Sequence, residues 1–450
     1  MENKHDFMGT ENITSLIIKF SFPAILGMFV NALYNVVDRI YIGRIKEIGH
    51  LAIAGLGIVF PLVIISFSFA LLFGIGSSAC ISLNLGDKKV KKAEKYLGTA
   101  IFLGIVVSIL ITIFNYLFLD KLLYIIGASG YTFIYAKDYF SIINFGIFAL
   151  IMFNILNAVI RADGNPKMAM FTVLSGAIVN IVLDPILIFY FHLGVKGAAI
   201  ATIISQYISF VLALYYFVSK YSKLKILTKY IRFDYEKAKK IILLGSSAFA
   251  IQIGFSLVNS ILNVVLKKYG GDISISAMTI VQSLMTFLLM PIFGINQGIQ
   301  PILGYNYGAR KYKRVASTLL QGILGATVIC IIGFVLIRLY GSRMLLIFNK
   351  NRDLIKITTR ALNIYTLMLP IIGFQIVSSI YFQAIGKPRL SLLISLSRQI
   401  LVMIPSLFLL SRIFGLNGIW YATPTADLIA TLITFVYIMK ELKYLKMEEN

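Results

Sequence analysis

A chain of 450 residues that is 58% hydrophobic and 14% charged cannot clothe water-soluble domains, which carry about 45–50% apolar and about 25% charged residues. Its net charge of +23 fits a cytoplasmic membrane face under the positive-inside rule, and this reading displaces nucleic-acid binding. Cys80 and Cys330 each lie inside an apolar run, and the three histidines are scattered, which excludes a disulfide framework or a CxxC metal site. No bound cofactor is expected. The opening MENKHDFMGTENITS has no basic-then-apolar signal layout, so the amino terminus is expected to stay uncleaved in the cytoplasm.

Crossing a hydrocarbon core of about 30 Å takes about 20 apolar residues. Stretches that meet this need are 13–43, 48–86, 97–119, 139–160, 168–190 and 197–219, then 241–266, 273–309, 315–337, 361–386, 390–411 and 416–439. The predicted fold is therefore an all-α integral membrane protein of twelve transmembrane helices. Pro61 in the second stretch, and Pro291 and Pro301 in the eighth, predict long, bent or protruding helices. An even number of spans puts both termini on one side. Most Lys and Arg fall in the termini and in the loops after even-numbered spans, above all in DKKVKKAEK at 87–95 and in the stretch 220–240, so both ends are predicted to be cytoplasmic. Those basic runs could also serve as an anionic-lipid or partner patch.

The two halves resemble each other in order and spacing. VNALYNVV at 30–37 faces VNSILNVV at 258–265, NLGDKK at 84–89 faces NYGARK at 306–311, and RADGNP at 161–166 faces QAIGKP at 383–388. Near the sixth and twelfth spans, LGVKGAAIA at 193–201 faces FGLNGIWYA at 414–422. Each unit holds six spans, so both start on the same side and the repeats are parallel. The predicted organisation is an amino-terminal six-helix lobe at 1–219, a basic cytoplasmic linker at 220–240 and a carboxy-terminal six-helix lobe at 241–450. Transporters with parallel repeats place substrate near the midplane, between the halves.

Charges inside the membrane cost at least about 2.5–3.5 kcal/mol each on insertion scales, so each is a functional candidate. In chain order they are Asp38, Arg39, Asp184, Arg398 and Asp427. Asp38 lies in the outer part of the first span and Asp184 at similar depth in the fifth. Asn180 lies one turn below Asp184, and Thr202 of the sixth span reaches the same level. Asn31, Asn35 and Asp38 form a polar stripe on the first span. Polar groups from three helices thus converge on one layer, as a proton or a sodium ion would require; the alternative for Asp38 is a surface pair with Arg39. Pro185 frees a backbone carbonyl beside Asp184, and Pro23 does the same in the first span; each is either a functional bend or a packing kink. Arg398 and Asp427 both fall near mid-membrane on antiparallel neighbours, as a structural lock or, for Asp427, a substrate counter-charge.

ALYNVVDRIYIG, RADGNP and NIVLDPILIF, set in twelve spans and two parallel halves, resemble the multidrug and toxic compound extrusion (MATE) transporters over nearly the whole chain, closest to the DinF-like, MepA-type bacterial branch. The resemblance implies an inner-membrane antiporter that expels cationic or amphiphilic small molecules, driven by proton or sodium entry, through alternating exposure of a cavity between two lobes. Matched to the branch, its cation site falls on Asp38, Asn180, Asp184 and Thr202, and Pro23 matches the proline about which the first helix is proposed to bend. The NorM-like branch has acids on the seventh and tenth helices that this chain lacks.

Two rival functions have sequence requirements of their own. A flippase for lipid-linked precursors needs a cavity rich in Arg and Lys, and only Arg398 lies deep. An intramembrane enzyme needs acidic loop pairs or HExxH-type ligands, which the sequence does not contain. The expectation is a transporter that is not an enzyme, sits in the bilayer as a monomer and uses H+ or Na+ as coupling ion.

Overall fold

The computed structural model describes residues 6–45, 49–128, 130–348 and 352–448; the first five residues of the polar amino terminus lie outside them. After a short helix α1 (Phe7–Thr10) come α2 (Ile13–Gly43), α3 (Gly49–Gly86), α4 (Val90–Ile126), α5 (Gly130–Ala162), α6 (Pro166–Pro185) and α7 (Gly194–Val218). The second half contains α8 (Tyr235–Gly308), α9 (Tyr312–Phe348), α10 (Arg352–Tyr365), α11 (Leu369–Ala384), α12 (Pro388–Leu396), α13 (Met403–Phe414) and α14 (Leu416–Met447). α8 is two helices run together across Gly271, whose φ of 63° breaks the helical path. Among the described residues eleven helices are long and apolar enough to cross a membrane, and the pair at 354–365 and 369–384, bent by 54°, brings the number to twelve when counted as one span.

Local chemistry starts these helices. Asn12 Oδ1 accepts from Thr14 N at 2.9 Å at the head of α2. Asn165 Oδ1 accepts from Met168 N at 3.1 Å, with Pro166 as the first residue of α6, an arrangement that satisfies one orphan donor and needs no other at the proline. Asp234 Oδ1 accepts from Lys237 N at 3.2 Å at the head of α8, and the Lys237 side chain holds that carboxyl below the usual carboxylate range. α4 and α8 begin inside the lysine-rich runs, at Val90 and Tyr235. The helices thus outrun the apolar windows of the sequence, because turns beyond the hydrocarbon carry charge without penalty.

The helices form two compact units. One comprises Met1–Met8 and Leu26–Phe249; the other comprises Gly9–Ile25 and Ala250–Asn450. The borders fall inside α2 and inside α8. Glycines explain this. In the first unit, a Cβ on Gly245 of α8 would run into the Leu72 carbonyl oxygen of α3, and one on Gly76 into the Ile241 carbonyl oxygen. In the second, Gly294 and Gly298 of α8 leave room for Ile25 and Ser21 of α2. Close backbone approach through small residues is the usual way helices associate in lipid. The second unit is built round the fully buried Trp420, Tyr381 and Phe382.

The RADGNP motif is a clamp. Asp163 Oδ2 accepts from Tyr216 Oη at 2.7 Å, from Lys223 N at 2.9 Å and from Ser222 Oγ at 3.2 Å, fixing the end of α7 and the first linker residues on the loop after α5. Arg161 donates to Asn157, whose Nδ2 donates to Ala169 O at 2.8 Å. Its counterpart QAIGKP uses different partners: Lys387 Nζ lies 2.6 and 2.8 Å from the Glu441 oxygens, and Tyr381 Oη donates to Glu441 at 3.2 Å.

Candidate functional site

Within the first unit, α2 and α6 bring two acids together. Asp38 and Asp184 are both buried, and their carboxyls lie within hydrogen-bonding reach of each other. Asn180, one turn back on α6, donates from Nδ2 to Asp184 Oδ1 at 3.2 Å. Asp38 Oδ1, Asp184 Oδ2 and Asn180 Oδ1 are all buried and have no hydrogen-bond partner among the described residues. Three unsatisfied oxygens at one place are costly, since each loses its hydration without replacement. Oxygen-rich, partner-poor sites suit a proton or a hard monovalent cation.

Backbone irregularity supports the same place. Asp184 and Pro185 close α6, and the chain continues as a π-helical turn, Ile186–Tyr190. Such turns are rare and occur often at functional sites. Among the described residues Thr202 of α7 makes no hydrogen bond to the carboxyls; it meets the hydroxyl of Tyr139. Tyr139 of α5 and Tyr34 of α2 lie within electrostatic reach of both acids. The sequence reading missed both tyrosines, although Tyr34 stands four residues before Asp38 on the same helical face.

The polar stripe of α2 divides. Asn35 Nδ2 donates to Asn31 O at 2.7 Å, and both asparagines are exposed, so they bond to each other and not to Asp38. Arg39 forms no ion pair with Asp38 among the described residues; its guanidinium lies 5.8 Å from the Phe60 ring centre. Pro23 lies in α2 two residues before the last residue, Ile25, that packs with the second unit.

In the second unit Arg398 Nε donates to Asp427 Oδ1 at 2.5 Å, the pairing anticipated for antiparallel neighbours. Breaking a buried pair by removing one partner leaves an uncompensated charge and costs about 3–5 kcal/mol, whereas removing both costs far less. Arg398→Ala and Asp427→Ala are accordingly expected each to lower the melting temperature in detergent more than the double replacement does; additive losses would contradict a direct pair. Among the described residues no cluster of three His, Cys, Asp or Glu side chains is positioned for a metal ion.

A family model for MatE matches residues 23–186 and 248–409, once in each half of the chain. The chain belongs to the MatE family. It is 27% identical over 427 residues to the multidrug export protein MepA of Staphylococcus haemolyticus (strain JCSC1435), covering 95% of this chain and 93% of that one. A MATE transporter solved in the bent conformation superposes with a TM-score of 0.91 at 25% identity, covering 100% of both chains. A MOP superfamily transporter from Pyrococcus furiosus Vc1 (DSM3638), whose binding pocket is described as reversed in polarity, gives 0.92 at 24% identity over 99% of each chain and shares the fold. Membership of MatE makes the two six-helix repeats those of a membrane transporter, and the duplicated match agrees with the internal repeat. The protein is a transporter and not an enzyme.

Proposed function

We propose that this MatE protein is an ion-coupled antiporter that exports cationic or amphiphilic small molecules by alternating access. The buried oxygens of Asp38, Asp184 and Asn180 that have no partner carry the reading: a transferable cation would satisfy all three. Its relative MepA is named for multidrug export, which supports a substrate range of several small molecules. The coupling ion is H+ or Na+, held by Asp38, Asn180 and Asp184, with Thr202 and Tyr139 beside them. Binding it cancels one negative charge of the pair of acids, and α2 bends at Pro23 as the site fills. The protein is a multi-pass protein of the bacterial inner membrane, a monomer with both termini cytoplasmic and 220–240 as the linker between lobes.

Ion and cationic substrate then oppose each other, because each favours the opposite charge state of the acids, and linkage makes the effect reciprocal. In sodium-free buffer the sign is fixed: lowering the pH protonates the carboxyls, removes the charge that attracts a cation and weakens substrate binding. Titrating binding of a fluorescent cation against pH, with and without sodium, is the test. Affinity that falls on acidification supports proton coupling; affinity flat with pH but falling with sodium assigns the site to sodium. Indifference to both would overturn the coupling site. The same protein in liposomes under separate pH and sodium gradients reports whether either gradient drives efflux.

A further inference from the structure

The second unit carries a buried charge centre that the coupling scheme leaves unused, with two interrupted spans and a proline-bearing helix around it. α10 and α11 are bent by 54° at the break between them. Arg398 lies in a π-helical turn, Ser397–Val402, between α12 and α13. Pro424 lies inside α14, three residues before Asp427. Tyr365, the last residue of α10, is within electrostatic reach of both charges. Irregular backbone at membrane depth is tolerated where it is buried in protein or lines a cavity, and transporters build their binding sites from such discontinuous helices.

The polar groups of this centre are unevenly used. The bond from Nε to Asp427 is the only hydrogen bond of the Arg398 guanidinium among the described residues, so four of its five N–H donors have no protein acceptor. The Arg398 side chain is 22% exposed, against 1% for Asp427, and neither Nη atom is among the buried atoms lacking a partner. Asp427 Oδ2, by contrast, is buried and unpartnered. A pair selected for stability alone would use the fork-to-fork geometry, with two parallel bonds. Here one bond at Nε fixes the guanidinium plane and leaves its Nη edge open, an edge that matches a carboxylate.

We propose that Arg398 is a substrate-binding residue whose free Nη edge receives the carboxylate of a zwitterionic amphiphile, with Asp427 holding the guanidinium in place. The inference rests on reading the protein as a small-molecule exporter. It gives the second unit a recognition point of its own, positive in sign. Asp427 plays two parts, since it orients Arg398 but also repels an incoming anion. Removing its charge while keeping its shape therefore strengthens carboxylate binding.

The test uses the full chain in detergent and two dyes that share one cationic ring system, rhodamine 110 with a free carboxylate and rhodamine 123 with that group as a methyl ester. Fluorescence anisotropy gives the affinity of each. In Arg398→Gln/Asp427→Asn, which leaves no buried lone charge, the free acid should bind about tenfold more weakly or worse, as expected for loss of a charge-assisted bidentate contact, while the ester changes less than about twofold. Asp427→Asn alone should tighten the acid several-fold, and Arg398→Lys should weaken it, because an ammonium lacks the planar fork. Ester affinity in the same samples reports that each variant is folded. Parallel loss of both dyes, or an unchanged acid, would overturn the proposal and leave the pair as a lock. Wild-type protein that binds ester but not acid overturns this inference alone; wild-type protein that binds neither dye removes the exporter reading together with it.

Discussion

Asp184→Asn should reduce gradient-driven efflux of a fluorescent cation from proteoliposomes to the level of protein-free vesicles. The amide keeps the shape of the side chain and a hydrogen-bonding atom for Asn180, now bonded at 3.2 Å, but it cannot exchange a proton or offer a charge to an ion. Burial of Asp184 is complete, so exchanging a charged group for a neutral one removes a desolvation cost. The melting temperature in detergent is therefore expected to stay level or rise, and lost transport would not reflect misfolding. Wild-type efflux in this variant would remove Asp184 from the coupling site. Asp38→Asn should in addition flatten the dependence of substrate affinity on pH, since one of the two titrating groups at the site is then gone.

A clear loss of stability is expected on filling Gly245. A methyl group there meets the Leu72 carbonyl oxygen well inside van der Waals contact, and that obstacle is backbone, which cannot rotate away. Forced overpacking costs about 1–3 kcal/mol and occasionally more, against a gain of about 1 kcal/mol for alanine over glycine within a helix. Gly245→Ala should thus lower the melting temperature clearly, and Gly245→Val should lower it further or prevent accumulation. Gly57 of α3 is the control, because nothing lies within 4 Å of its added Cβ; Gly57→Ala should be neutral or slightly stabilising. Equal effects at the two positions would contradict the close crossing of α3 and α8.

Spans and acids were legible in the sequence for the same reason: hydrocarbon imposes a length and makes charge conspicuous. Twelve apolar windows could be read directly, and counting residues along them put Asp38 and Asp184 at one depth. What escaped was whatever hydropathy does not encode. The stretch 361–386 reads as one apolar run, yet the chain turns by 54° between Tyr365 and Leu369, just ahead of Pro370, whose ring excludes the helical path before it. The π-helical turns after Pro185 and around Arg398 change a hydrogen-bond register without changing composition. Asn31 and Asn35 have the spacing of a polar stripe aimed at Asp38, but Asn35 donates back to Asn31 instead. Tyr139 lay unread at the start of an apolar window, since a tyrosine at that depth is more often interfacial packing than part of a site.

The borders inside α2 and α8 have a consequence for biosynthesis. Translation proceeds from the amino terminus, so Gly9–Ile25 leaves the ribosome more than 200 residues ahead of its packing partners, which begin at Ala250. At about 5–20 residues per second, more than 200 residues of further synthesis take about 10 s to under a minute. Throughout that interval the face of α2 bearing Ser21 and Ile25 has no glycine groove to enter, and the first unit is itself incomplete until residues up to Phe249 have emerged. The nascent chain must therefore hold α2 half-committed, against lipid or an insertion factor, while the other unit closes first. Damage to that opening segment would then surface as a late assembly fault in a protein whose first unit had already folded.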